Sequence, residues 1–158
     1  MSSGPTLTDE QEAVFDAAMR FVQRGRTPDG RRWFAFEGLA GVGKSVVLAA
    51  LGRELPRASL CALFGKAAYN LSVKSGLPTS TLHQIIYRFV GEDVDDRGRR
   101  ELFFTPALRD QALARRVVLL DESGTVPEHV GEDLMRTGAL VARPDEATER
   151  RIGQPLDG

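Results

Sequence analysis

The stretch Gly38-Leu39-Ala40-Gly41-Val42-Gly43-Lys44-Ser45 meets G-x-x-x-x-G-K-[ST] at every fixed position, the pattern of a loop whose backbone N–H groups cradle phosphates. Each residue type has a physical reason to be there. Glycine adopts φ > 0 and puts no Cβ between the backbone and a phosphate oxygen. The helix that follows turns its free N–H groups and the positive end of its dipole toward the anion. The pattern gives Lys44 to the β/γ-phosphates and the Ser45 hydroxyl to Mg²⁺, with Gly38, Ala40, Gly41, Val42, Gly43 and Val46 completing the nucleotide contact. Both flanks suit it. Trp33-Phe34-Ala35-Phe36-Glu37 reads as a strand, and Val46-Val47-Leu48-Ala49-Ala50-Leu51 as a helix. A Gly-rich strand–helix turn that binds nothing is the competing reading, and the matching flanks weigh against it. The expected ligand is a nucleoside triphosphate.

Val117-Val118-Leu119-Leu120-Asp121-Glu122 is the second landmark. Four apolar residues ending in two carboxylates describe a buried strand with acids at its C-terminal edge, where ligands bind in open α/β sheets. Asp121 is expected to hold the Mg²⁺ shell opposite Ser45, and Glu122 to act as general base on the attacking water. One acid at a strand end is commonplace; two of them downstream of a phosphate loop are not.

Composition sets the outer bounds. The chain has 158 residues, 42% hydrophobic and 27% charged, as expected of one globular domain. A net charge of −1 gives no global basic field, so a nucleic-acid contact has to come from a local patch. The single cysteine, Cys61, excludes an internal disulfide and sits in an apolar run, which makes it a core residue. No run approaches 18 apolar residues and the start lacks an apolar signal region, so the expectation is a soluble cytoplasmic protein with no membrane partner.

Between these landmarks strands and helices alternate. Thr8-Asp9-Glu10-Gln11 reads as a capping box opening a helix with Val14, Ala17, Ala18, Phe21 and Val22 on one face and Gly25 as its stop. Ser59 to Phe64 is a buried strand, Lys66 to Ser75 a helix, and Thr81-Leu82-His83-Gln84 a second capping box whose helix runs through Ile85, Ile86, Phe89 and Val90. Residues 91–101 form a mixed charge run that reads as a solvated loop; a Ca²⁺ loop would need a glutamate at its twelfth position, which this run does not supply. Glu101–Thr105 suits a short strand, 106–115 a loop or weak helix, and Pro127 to Thr137 a helix. The whole describes an α/β fold, a parallel sheet with helices on both faces. The domain is expected to span 1–138, with 139–158 a possible edge strand and a loose tail.

With these residues in place, the chain resembles the first motor domain of superfamily 1 DNA helicases of the RecD-like group. Leu7-Thr8-Asp9-Glu10-Gln11 is similar to the family's Q motif, Gly38 to Ser45 to its Walker A loop, Gly65-Lys66-Ala67-Ala68 followed by Thr81-Leu82-His83 to its motif Ia region, and Val118 to Ser123 to its Walker B segment. The resemblance spans about residues 7–136. It implies a RecA-like P-loop NTPase that binds ATP·Mg²⁺ and lies against single-stranded DNA. It further implies that Gln11 reads the adenine edge and that Lys66, Thr81 and His83 lie near the DNA. Capping or surface roles are the alternatives for Gln11 and His83.

The chain also departs from the family. Leu63-Phe64 stands where Pro-Thr is usual, and Ser123-Gly124-Thr125 follows the acid pair. Beyond Gly138 the sequence has no counterpart of the family's G-D-x-x-Q-L-P-P segment or of the second motor domain with its arginine finger, worth roughly 10³–10⁵ in rate. The expectation is an isolated or truncated ATPase half that hydrolyses poorly unaided, completed by a second motor domain or another protein. A non-catalytic nucleotide-binding module that docks on a partner is the alternative. A small P-loop kinase is disfavoured, because Glu122 beside Asp121 suits water activation and no lid follows.

Overall fold

The computed structural model describes residues 6–38, 43–106 and 116–146. Leu39 to Val42, residues 107–115 and the tail beyond 146 lie outside the described residues, and with them Ala40, Gly41 and Val42 of the phosphate loop.

Helix α1 (Asp9–Arg24) opens with the capping box read from the sequence: Gln11 N–H donates to Thr8 Oγ1 at 3.3 Å and Thr8 N–H to Gln11 Oε1 at 3.0 Å. Gly25, at φ 73°, closes it in the left-handed conformation that glycine adopts without a Cβ penalty. Then follow β1 (Trp33–Gly38), α2 (Lys44–Glu54), β2 (Ala58–Ala62), α3 (Gly65–Ser75), β3 (Ser80–Thr81), α4 (Leu82–Ile86), β4 (Tyr87–Val94), β5 (Arg100–Pro106), β6 (Val117–Leu120), a 3-10 turn (Ser123–Thr125), α5 (Glu128–Arg136) and β7 (Leu140–Glu146).

Five strands make one parallel sheet in the order β1-β7-β6-β2-β3. Alternate residues of β6 show why its apolar run is unbroken. Val118 and Leu120 face a cluster with Cys61, Val141, Ile85, Ile86, Val130 and Leu134, under α4 and α5. Leu119 faces the opposite cluster with Ala18, Phe36, Leu48, Leu51, Leu71 and Ala142, under α1, α2 and α3. A strand covered on both faces has no polar side to show in its sequence.

Three expectations need correction. The last strand is no edge: β7 lies between β1 and β6, pairing with both. Ala139, Val141 and Ala142 are buried, as an inner parallel strand requires. Pro144, a residue that argues against an interior strand, is tolerated because β6 pairs only as far as Ala142; at Pro144 the strand has β1 alone for a neighbour. The helix opened by Thr81 stops at Ile86, and Phe89 and Val90 belong to β4 instead. A short apolar run fits either period, and here the pairing of Phe89 with Phe104 on β5 decides it. Most of the charge run 91–101 is therefore no loop. Residues 91–94 and 100–101 sit in an antiparallel hairpin, and only 95–99 turn, with Asp95 Oδ1 accepting the Arg97 and Arg99 N–H groups at 2.9 and 2.8 Å.

Candidate nucleotide-binding site

The topology gathers the candidate residues at the C-terminal edge of the sheet. β1 ends at Gly38 and the chain re-enters the described structure at Gly43, the N-cap of α2. Gly43 sits at φ 81°, where side chains are strained, and an added Cβ would run into Gln11 Nε2. Glycine is therefore required here on two counts, and the Gln11 amide lies against the end of the phosphate loop. At its start α2 has no side-chain cap and no acidic residue in its first turn. Such a helix end leaves N–H donors and a positive dipole end for an anion to meet.

Across from it, β6 delivers Asp121. The Ser45 hydroxyl donates to Asp121 Oδ2 at 2.9 Å, joining residues 76 apart in sequence. Asp121 is held from the other side as well: its N–H donates to Cys61 O at 2.9 Å, and its Oδ1 accepts the Glu122 N–H at 3.0 Å. Burial, with the Asp121 charge as the smaller cause, pushes the Cys61 thiol far above its ordinary range, so it stays a neutral core group.

Glu122 has a left-handed backbone, φ 51° and ψ 44°, the single non-glycine residue with positive φ among the described residues. That conformation costs a residue with a Cβ roughly 1–2 kcal/mol. The turn after it offsets this strain. Thr125 donates to Glu122 O through its N–H at 3.1 Å and its hydroxyl at 2.8 Å, and the buried Ser123 hydroxyl donates to Pro144 O at 2.5 Å. The Glu122 side chain is left exposed. The sequence places Ser123 at the end of the Walker B-like segment and at the start of a departure from the family, and nothing in a lone serine announces that it pins this turn to β7.

A hydroxyl and a carboxylate oxygen in contact are hard oxygen donors of the kind Mg²⁺ takes. No group of three or more His, Cys, Asp or Glu side chains that could cage a metal occurs among the described residues. A cation here would draw the rest of its shell from phosphate oxygens and water, as Mg²⁺ usually does.

The other candidates fall on neighbouring ends of the same edge. Lys66 is exposed in the first turn of α3, after β2. Thr81 caps α4 after β3, its Oγ1 accepting Gln84 N–H at 3.3 Å, and His83 is exposed with its ring 5.2 Å from that of Tyr87. Phe64, at the N-cap of α3, is 61% exposed.

Residues 6–142 match the family described as "AAA domain". The chain belongs to that family. Its fold is that of Pif1 helicase structures: this AAA domain superposes on Bacteroides Pif1 bound to ssDNA with a TM-score of 0.55 at 18% identity, covering 90% of this chain and 32% of that one. The Pif1 helicase from Candida albicans gives 0.52 at 21% identity, with 89% of this chain and 32% of that one covered. The chain thus spans about a third of the solved proteins it matches. No curated protein matches it in sequence. The RecA-like α/β architecture expected from the motifs is the one observed; the matches do not resolve a RecD-like subgroup.

Proposed function

We propose that this domain binds ATP·Mg²⁺ in the cleft between the start of α2 and the end of β6, and that it is the first motor domain of a DNA helicase. The observation that carries the reading is the 2.9 Å bond from Ser45 to Asp121 in front of an uncapped helix. Lys44, the first residue of α2, neutralises charge on the β/γ-phosphates. Mg²⁺ held by Ser45 and Asp121 would supply charge neutralisation at the transferring phosphoryl group. Glu122 takes the proton of the attacking water, its strained backbone fixing where the carboxylate stands. Gln11 contributes its amide Nε2 beside Gly43, since its Oε1 already accepts the Thr8 N–H. Gly38 and Gly43 to Val46, with Ala40, Gly41 and Val42 between them, form the nucleotide cradle.

Single-stranded DNA lies across the starts of α3 and α4, near Lys66, Thr81 and His83, as the likeness to a Pif1 structure bound to ssDNA suggests. A second motor domain or a partner protein supplies the remaining transition-state charge. We place the protein in the cytoplasm because the free, buried Cys61 thiol suits a reducing compartment.

The test is a titration of ATP·Mg²⁺ into the protein and its Lys44→Ala variant, followed by turnover with and without single-stranded DNA. Lys44→Ala should lose roughly 100-fold or more in affinity, and DNA should accelerate turnover of the parent. Unchanged affinity in the variant refutes the site; turnover indifferent to DNA refutes the motor assignment.

A further inference from the structure

The β4–β5 hairpin is a poor fit for stability on its own. Two-stranded hairpins are marginal in water unless something packs on them, and Phe89 and Phe104, stacked edge to face, remain 59% and 57% exposed. The hairpin grows out of α4, a helix of only five residues. What fixes its stance is at its root. The Tyr87 hydroxyl donates to Asp133 Oδ2 on α5 at 2.5 Å, across 46 residues of sequence. The ring of Tyr87 packs on the core cluster under α4 and α5 and lies tilted against His83. Burial, with the hydrogen bond to Asp133 and its charge, pushes the phenol up to about 12, so it stays a donor at any working pH.

α5 in turn is tied to the acid pair. It begins six residues after Glu122, through the turn that Ser123 pins to β7, and Val130 and Gly131 N–H groups bond Pro127 O at 3.1 and 3.0 Å. α5 runs from Glu128 to Arg136 and carries Asp133, so a displacement of the acid pair reaches the root of the hairpin through the pinned turn and this helix.

We propose that Tyr87 and Asp133 are positioning residues: their bond latches the hairpin to α5, so the hairpin's stance follows the occupancy of the nucleotide cleft. The latch is independent of the functional reading above; the nucleotide response rests on it. The test puts a nitroxide on the hairpin tip through Asp96→Cys, Cys61 being buried. Tip mobility is read in this background and with Tyr87→Phe added, each with and without Mg²⁺ and a non-hydrolysable ATP analogue, analogue affinity being measured alongside. A hydrogen bond to a charged acceptor is expected to be worth roughly tenfold or more in the latched-to-free ratio. Tyr87→Phe should loosen the tip by that ratio, remove its response to nucleotide and leave affinity unchanged. Asp133→Asn, which keeps an acceptor oxygen, should retain more of the response than Asp133→Ala. A tip in Tyr87→Phe as ordered as in the parent background overturns the latch. A response that persists in Tyr87→Phe, or is missing from the parent background while nucleotide binds, overturns the coupling. If the parent background binds no nucleotide, the functional reading fails, while the nucleotide-free comparison still decides the latch.

Discussion

Helices α1 and α2 start side by side, Gln11 of one against Gly43 of the other, and treat their first N–H groups in opposite ways. α1 closes its own end: Thr8 and Gln11 form a reciprocal capping box, and Asp9, Glu10 and Glu12 put negative charge in the first turn. α2 does neither; its N-cap is a left-handed glycine, and no acid follows it. With glycine at the N-cap, such a helix start forgoes only a few tenths of a kcal/mol from the cap, and a further ~0.3–1 kcal/mol from the dipole for want of an acid. In α2 that omission recurs in each of the two devices a sequence has for the purpose. α1 is finished by its own side chains, whereas α2 is left for a ligand to finish. Gln11 joins the two, its Oε1 serving the α1 cap while its Nε2 lies against Gly43.

The contrast can be broken hardest at the acid pair facing α2. Glu122→Gln keeps the size of the side chain and removes the base, so turnover should fall by roughly 10²–10⁴ with nucleotide affinity intact. Equal turnover in the variant, measured by phosphate release at saturating ATP, would take Glu122 out of the chemistry. The second break is on α1. Thr8→Ala removes the oxygen that accepts Gln11 N–H and should cost about 1 kcal/mol in urea unfolding. Nucleotide at saturation should leave that cost unchanged, because the α1 cap is made without it. A cost that vanishes with ATP bound would mean that the two helix ends share one ligand.

Both helix starts were legible in the sequence because capping and phosphate binding are local. A threonine three residues before a glutamine, or glycines at fixed spacing before a lysine, carry their geometry with them. The buried strands β2 and β6 were legible for a related reason: an apolar run bounded by acids or glycine has few places to go in an α/β fold. What was not legible depended on partners far along the chain. Phe89 continues a helical pattern from Ile85, and only the strand at Phe104 turns it into β4. Leu140 to Ala142 looks the same at an edge or in the middle of a sheet; the insertion between β1 and β6 is set by both neighbours at once. Glu122 is the sharpest case, since no propensity marks a glutamate for φ 51°, and the buried Ser123 that helps hold it bonds to a carbonyl 21 residues away.

The smallest effect sharpens the contrast most, because it gives α2 what α1 already has. Val46 lies in the first turn of α2 and is only partly buried, so a longer side chain has a way out to solvent. Val46→Glu places a carboxylate in the first turn of α2, at the positive end of its dipole, where an acid stabilises a helix by about 0.3–1 kcal/mol. Without nucleotide the variant should unfold at higher urea by that amount. With ATP present the sign reverses: the same charge now repels phosphate oxygens, and affinity should drop by a few-fold, more at low salt than at high. The two readings must move oppositely if α2 waits for an external anion. A variant that gains no stability when empty would mean that the start of α2 is already satisfied from within the chain. The difference between the two helices would then be one of sequence only.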